Sequence, residues 1–476
     1  MKINKITVLI IFILGLTLNI NAQGYKIEVN VKGLKDTSLI LGHYFNKKMY
    51  VSDTAIVNHE GQAIFEGQKA LNGGIYLVYM PDKSYFDLMI TDDQTFTVTT
   101  AGPNYIPSMS IKGATESQKF LDYQKYLFDK QTVAQSYQKE LEMHKNNADS
   151  TKLIQEKQKN LNAEVQSYWN KTIAENPGTF LATFLHALQE IEIPEINIQE
   201  GTPQRDSIIQ SKKYYYYKNH YFDNINLTDD RLLRTPFLAE KIDTYFTKTI
   251  IQIPDTISAE SIKLIEKCRP NAEMFKYMVQ YLFNMATESK QMGMDAVVVA
   301  LGEKYYLSGD ATWADAEFLK NLKERVDKIK PNLIGVTAHD MTLQSPTGEF
   351  YRLSEINAPF TILVFWEPSC GHCQKEIPKL HKEVWEKYSN TGIKIVAVYT
   401  QVDQTEWTKF IEEHQLGDWI NVYDPYQHSR FRDYYDIYST PVIYILDKDK
   451  KIIAKRIGTE NIPGFLDHEI KLGHLK

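Results

Sequence analysis

The segment Phe360-Thr-Ile-Leu-Val-Phe-Trp366 is apolar but for one threonine, and it runs straight into Glu367-Pro-Ser-Cys-Gly-His-Cys373. An apolar run of this length, stopped by a proline, predicts a central strand buried on both faces. From about Gly371 to Tyr388 the spacing is helical, with Pro378 inside it. Such a strand needs neighbours on both edges and cover on both faces, so this part of the chain has to build an α/β sheet. The pair of cysteines sits where the strand gives way to the helix. Cys370 then lies over unpaired helix N–H groups, where the dipole favours a thiolate. A two-residue spacer lets Cys370 and Cys373 close into a disulfide, with the second thiol partly shielded.

The surrounding pattern agrees with a mixed sheet. Asp340 to Gln344 and Glu349 to Leu353 read as a hairpin around Ser345-Pro-Thr-Gly348. Lys394 to Tyr399 is a second buried strand, and Asp403 caps a helix from Gln404 to His414. Phe431 to Tyr435 is a short helical stretch. Val442 to Leu446 and Ile452 to Ile457 form a last hairpin across Asp447-Lys-Asp-Lys450, and Pro463 opens a terminal helix.

Upstream the texture is different. Tyr25-Lys-Ile-Glu-Val-Asn-Val31 alternates with period two, as a half-buried strand does. Six more short strands follow, at 38–44, 50–57, 62–66, 74–80, 86–90 and 95–100. Turn-forming clusters such as Asn58-His-Glu-Gly61 separate them. The spacing predicts a small antiparallel sandwich or barrel. From about Ala114 the pattern turns helical: 117–131, 136–145, the polar stretch 150–175, and 179–190 after Asn176-Pro-Gly178. Further helices at 236–251, 259–268, 272–286, 294–305 and 314–328 complete what reads as one all-α domain. Expected boundaries are a signal peptide at 1–22, a β-sandwich-like domain at 23–113, a helical domain at 114–331 and an α/β domain at 332–476.

The start has the form of an export leader. Lys2 and Lys5 precede the apolar run Ile6 to Leu18, and Asn19-Ile-Asn-Ala22 offers a small residue before Gln23. The run is short for a bilayer span of about 20 residues. With no cysteine beside the leader, lipid attachment there is excluded. Cleavage removes two lysines and no acid, taking the formal charge from −6 to −8. An acidic chain has no long-range pull toward nucleic acid or anionic membrane. The aromatic run Tyr214 to Tyr217 is therefore expected to be a helix packing some tyrosines and wetting the others, rather than a stacking surface. The expected compartment is the periplasm or cell envelope, where disulfides persist.

With three cysteines in 476 residues, a disulfide scaffold is excluded and each thiol stands alone. Cys268 closes a helical stretch, and free cysteine is among the most buried residue types, so it is expected to be inert. For Cys370 and Cys373 the competing readings fail on neighbouring residues. Haem attachment needs a histidine directly after the second cysteine, and Gln374 stands there. A zinc site needs two more ligands at suitable spacing, and none accompany the pair. A thiol peroxidase needs Thr or Ser three residues before its reactive cysteine, where this chain has Glu367. A redox dithiol remains.

Phe365-Trp366, Cys370-Gly-His-Cys373, Glu376-Ile-Pro378 and Thr440-Pro441 before a strand carry a family resemblance. Residues from about 333 onward resemble a thioredoxin-fold domain of the TlpA/ResA-like exported thiol-disulfide oxidoreductases. The β and helical regions resemble the extensions that precede such domains in exported proteins of Bacteroidetes-like bacteria. The resemblance implies Cys370 as attacking thiol, Cys373 as resolving thiol, and Pro441 as a cis-proline facing the disulfide. It also implies a Thr440 backbone that pairs with an extended substrate, and no cofactor or metal. The implied partners are protein disulfides or dithiols and a membrane redox donor. Glu376 matches the family's acid three residues after the second cysteine, near enough to the dithiol to relay a proton. His372 gives the motif the spacer of protein disulfide isomerase. A potential between about −180 and −270 mV is expected from it. Ser369 stands where many relatives have Trp, so a hydrophobic docking lip is not implied. Trp366 suits either partner docking or core packing.

Two functions fit. One is an exported oxidoreductase acting on protein disulfides. The other is a non-catalytic envelope binding or assembly protein whose redox domain is regulatory, since a simple reductase has no need of some 300 residues upstream.

Overall fold

The computed structural model describes residues 24–473, so the expected leader at 1–22 lies outside the described residues. The chain divides into two compact units between Thr249 and Ile250. The helical stretch expected at 114–331 is thus shared between them.

The first unit begins with β1 (Tyr25–Lys32), β2 (Thr37–Phe45), β3 (Lys48–Val57), β4 (Gln62–Gly67), β5 (Gly74–Tyr79), β6 (Tyr85–Ile90), β7 (Thr95–Ala101) and β8 (Ser110–Lys112). They form two four-stranded sheets, ordered β4-β1-β7-β8 and β3-β2-β5-β6. Alternation sets the layers: Ile27, Val29 and Val31 of β1 and Leu39 and Leu41 of β2 join Phe65, Val78, Leu88 and Val98 in one core. Two features differ from the expected antiparallel sandwich. β1 and β7 run parallel, and β8 is an eighth strand, three residues long and too short for a period to show. The helices expected at 117–131 and 136–145 are one helix, Thr115–Met143, because nothing between them breaks the pattern. It pairs with Ala148–Glu175, and Tyr126 stacks on Tyr168 at 3.9 Å. The tyrosines 214–217 lie on the helix Arg205–His220, which buries none of them fully and leaves Tyr215 exposed.

The second unit starts with helices Pro254–Cys268, Ala272–Glu288, Asp295–Leu301 and Ala316–Ile329. Cys268 is fully buried, and burial pushes its thiol up to about 12. The strands follow: β9 (Thr342–Gln344), β10 (Phe350–Arg352), β11 (Thr361–Trp366), β12 (Lys394–Tyr399), β13 (Ile420–Tyr423), β14 (Val442–Leu446) and β15 (Ile452–Lys455). Their order is β10-β9-β13-β12-β11-β14-β15. β11 is central, parallel to β12 and antiparallel to β14. Its six residues are all buried. Ile362, Val364 and Trp366 face one core with Ile377, Leu380, Trp407 and Leu466, while Leu363 and Phe365 face the other with Leu343, Phe431 and Tyr435. Both faces being covered is why the sequence shows no alternation there.

The helices of this unit are tied to the sheet by charge. Lys455 on β15 is buried, donates to the Asn332 carbonyl at 2.6 Å and pairs with Asp295. Buried Asp436 takes Arg325 from the helix Ala316–Ile329 and Arg456 at 2.7 Å. Lys328 donates to the carbonyls of Arg432 and Asp433, and Asn332 to that of Tyr434 at 2.7 Å. Residues 430–436, which lead toward Thr440, are thereby clamped from the helical side.

Candidate active site

After Trp366 the backbone turns sharply. The Cys370 N–H meets the Glu367 carbonyl at 3.3 Å, and helical bonding starts with Gln374 to Cys370 and Glu376 to His372. Cys373 opens the helix Cys373–Leu380. The N–H groups of His372 and Cys373, at the start of the helix, face the Cys370 sulfur instead of a helical carbonyl.

The two thiols occupy different surroundings. Cys370 is partly exposed, and its Sγ lies 3.2 Å from the Thr440 carbonyl. The Thr440–Pro441 peptide is cis. Burial alone would raise the Cys370 pKa. Hydrogen bonding from the Thr440 side chain, from the N–H and thiol of Cys373 and from the N–H of His372 more than reverses this, leaving it below the ordinary value. Cys373 is fully buried, and burial, with smaller contributions from neighbouring Cys370, pushes its thiol up to about 12. A motif with one acidic outer thiol and one weakly acidic inner thiol is arranged for sequential attack and resolution.

The other sequence-derived residues fall as follows. Thr440 lies against Cys370, and Pro441 follows it across the cis peptide. His372 is exposed on the helix N-terminus. Glu376, one turn on, is partly exposed and lines a cleft of about 210 Å³ with Ser439, Pro441, Val442 and Arg456. Trp366 is a correction. It is fully buried and packs on Phe410 at 5.1 Å between ring centres, so it presents no surface to a partner and packs the core instead.

Sequence reasoning missed the role of Glu367, used there only to exclude a peroxidase. Its carboxylate accepts from Gln401 Nε2 at 2.6 Å and Thr400 Oγ1 at 3.1 Å, and lies 3.5 Å from Thr440 Oγ1. It joins the ends of β11 and β12 to the loop before β14. An acid where the strand meets the motif was the available signal, but its partners are 33 and more residues away.

Residues 334–455 match the AhpC/TSA family, and residues 25–120 match a domain of unknown function, DUF4369. The thiol-disulfide oxidoreductase ResA of Bacillus cereus is 24% identical over 136 residues, covering 28% of this chain and 76% of its own. ResA of Geobacillus thermodenitrificans is 28% identical over 137 residues, with the same shares. Residues 334–455 are thus an AhpC/TSA-type thioredoxin-like domain whose homologues include ResA-like thiol-disulfide oxidoreductases. A solved domain of a possible thiol-disulfide isomerase from Cytophaga hutchinsonii is 44% identical to the part of this chain that it matches. The match covers 30% of this chain and 97% of that one, with a TM-score of 0.28. Among the described residues, no helix is long and apolar enough to cross a membrane.

Proposed function

We propose that the chain is an exported thiol-disulfide oxidoreductase of the periplasm or cell envelope, reducing or exchanging disulfides of other proteins through Cys370 and Cys373. The pairing of a partly exposed Cys370, beside the Thr440 carbonyl and the cis Thr440–Pro441 peptide, with a buried Cys373 at the helix start carries this reading. The Cys370 thiolate attacks a substrate disulfide, forming a mixed disulfide and releasing one substrate thiolate, which takes up a proton. Cys373 then attacks Cys370 Sγ, releases the second substrate sulfur and leaves the enzyme oxidised. A membrane redox donor would return the two electrons. The Thr440 backbone, beside Cys370, would pair with the extended substrate, and His372 would stabilise the reduced form.

The test uses the reduced full chain and a model protein disulfide. Stoichiometric reduction is expected, with a potential between about −180 and −270 mV in glutathione buffers. No reduction by wild type, with both thiols free, would instead favour the non-catalytic assembly protein.

In this reading Glu376, which shares a cleft with Pro441, takes up the proton that Cys373 must lose. Glu376→Gln is expected to slow resolution about tenfold or more while sparing the first attack, since general acid–base groups contribute at least that much. Single-turnover kinetics would show the mixed disulfide building up in the variant. Equal resolution rates would leave Glu376 a surface residue.

A further inference from the structure

Thr440 meets the site with two groups of opposite effect. Its carbonyl accepts from the Cys370 thiol, which favours the protonated state. Its hydroxyl has a single proton to give, and three acceptors compete for it: the Cys370 and Cys373 sulfurs, when ionised, and Glu367 Oε1. At 3.5 Å the hydroxyl is not committed to Glu367. Glu367 itself is firmly held, because Gln401 and Thr400 fix its other oxygen. Among the described residues it has no ion pair. The nearby cation, Arg432, donates to the Thr400 carbonyl at 2.5 Å. Arg430 is taken by Asp433 at 2.7 Å. The remaining charged or titratable neighbours are Tyr399 and Asp403 at the end of β12, Asp424 in the cleft beside Gln401, His372 and Cys373 on the motif, and Glu376 beyond Pro441. None of them is a cation placed to cancel Glu367.

We propose that Glu367 is a positioning residue of the dithiol, competing with Cys370 for the Thr440 hydroxyl proton and so restraining thiolate formation. This rests on the dithiol reading above. In the thiol state the hydroxyl points to Glu367. When Cys370 ionises, the hydroxyl turns to the sulfur and the carboxylate loses that bond. A hydrogen bond to a charged acceptor and a nearby negative charge act in the same direction. Glu367 thereby makes the oxidoreductase slower and more selective at mildly acid pH than its helix N-terminus alone would.

The test is alkylation of Cys370 by iodoacetamide across pH in the full chain, a readout that needs no protein substrate. Glu367→Gln keeps size and most contacts but removes the charge. It should move the reactivity midpoint to lower pH and raise the rate below the midpoint about three- to tenfold. Thr440→Val should move the midpoint up. In the Thr440→Val background, Glu367→Gln should produce a clearly smaller shift, because the shared proton is gone. A role confined to anchoring β11 on β12 predicts an unchanged or raised midpoint in Glu367→Gln, which would overturn the proposal. An equal shift with and without the Thr440 hydroxyl would do so too. If wild type titrates as described but reduces no protein disulfide, the proposed function fails and the role of Glu367 stands.

Discussion

Cys370→Ser is expected to abolish disulfide exchange, and Cys373→Ser to capture substrates as mixed disulfides. The asymmetry follows from the surroundings of each sulfur. Cys370 is the thiol that reaches solvent, and its pKa is lowered, so it is the more readily ionised of the two near neutral pH. A serine hydroxyl in its place is not ionised there, and the loss should be on the order of a thousandfold or more. Cys373, held at about 12 and sealed from solvent, cannot replace it. Its turn comes later. Two of the influences that raise it, a hydrogen bond and a charge, come from Cys370. Both change once Cys370 Sγ is tied into a mixed disulfide, so Cys373 becomes more acidic at the step where it must attack. With Cys373→Ser that step is missing and the covalent complex persists. The first-step rate should rise tenfold per pH unit below the Cys370 pKa and then level. Mass spectrometry of acid-quenched mixtures with a model protein disulfide separates the two variants. If Cys370→Ser trapped substrate and Cys373→Ser were inert, the assignment would be reversed.

What the sequence disclosed, and what it hid, divides along the range of the interactions. β11 and the dithiol were readable because burial on both faces and the strand-to-helix switch are written in adjacent residues. The seven upstream strands were readable from their alternation. β13 was not, because it has four residues and one of them is the polar Asn421, whose side chain is satisfied by the Leu416 carbonyl at 2.7 Å. The helices upstream of the sheet read as one domain since nothing local marks a boundary near Thr249. Their division reflects pairs such as Arg325 with Asp436, 111 residues apart. The same applies at the site. Cys370, Cys373 and Pro441 were named from a motif, but the bridge from Glu367 to Thr440 spans 73 residues and has no local sign. Trp366 could have packed or docked, and only the arrival of Phe410 against its ring decides for packing.

Asp295→Ala should destabilise the second unit by about 3 kcal/mol, the cost of leaving a buried charge without its partner. Lys455 is 5% exposed, and its ammonium group has Asp295 and the Asn332 carbonyl around it. Burial already lowers its pKa, and Asp295 works against that lowering. Without the carboxylate, the native state must either hold an almost unpaired ammonium or give up the proton. Replacing the lysine as well, in Asp295→Ala with Lys455→Met, removes the charge and should restore most of the loss, since an apolar side chain of similar length suits the site. The pH dependence has a definite sign. In Asp295→Ala the native Lys455 pKa falls further below its unfolded value, so the unfolded chain binds more protons between the two. The penalty then shrinks as pH rises through the native Lys455 pKa and vanishes above the unfolded value of about 10.4. Thermal unfolding of the full chain, followed at two pH values for wild type and both variants, measures this. A cost below about 0.5 kcal/mol, the level of an exposed pair, would mean that Lys455 is solvated in the native state. The helix Asp295–Leu301 would then rest on the sheet by apolar packing alone. A large cost recovered by Lys455→Met makes the helices of residues 254–329 an integral layer of the second unit, fixed to β15 next to the ion pair of Arg456 with Asp436.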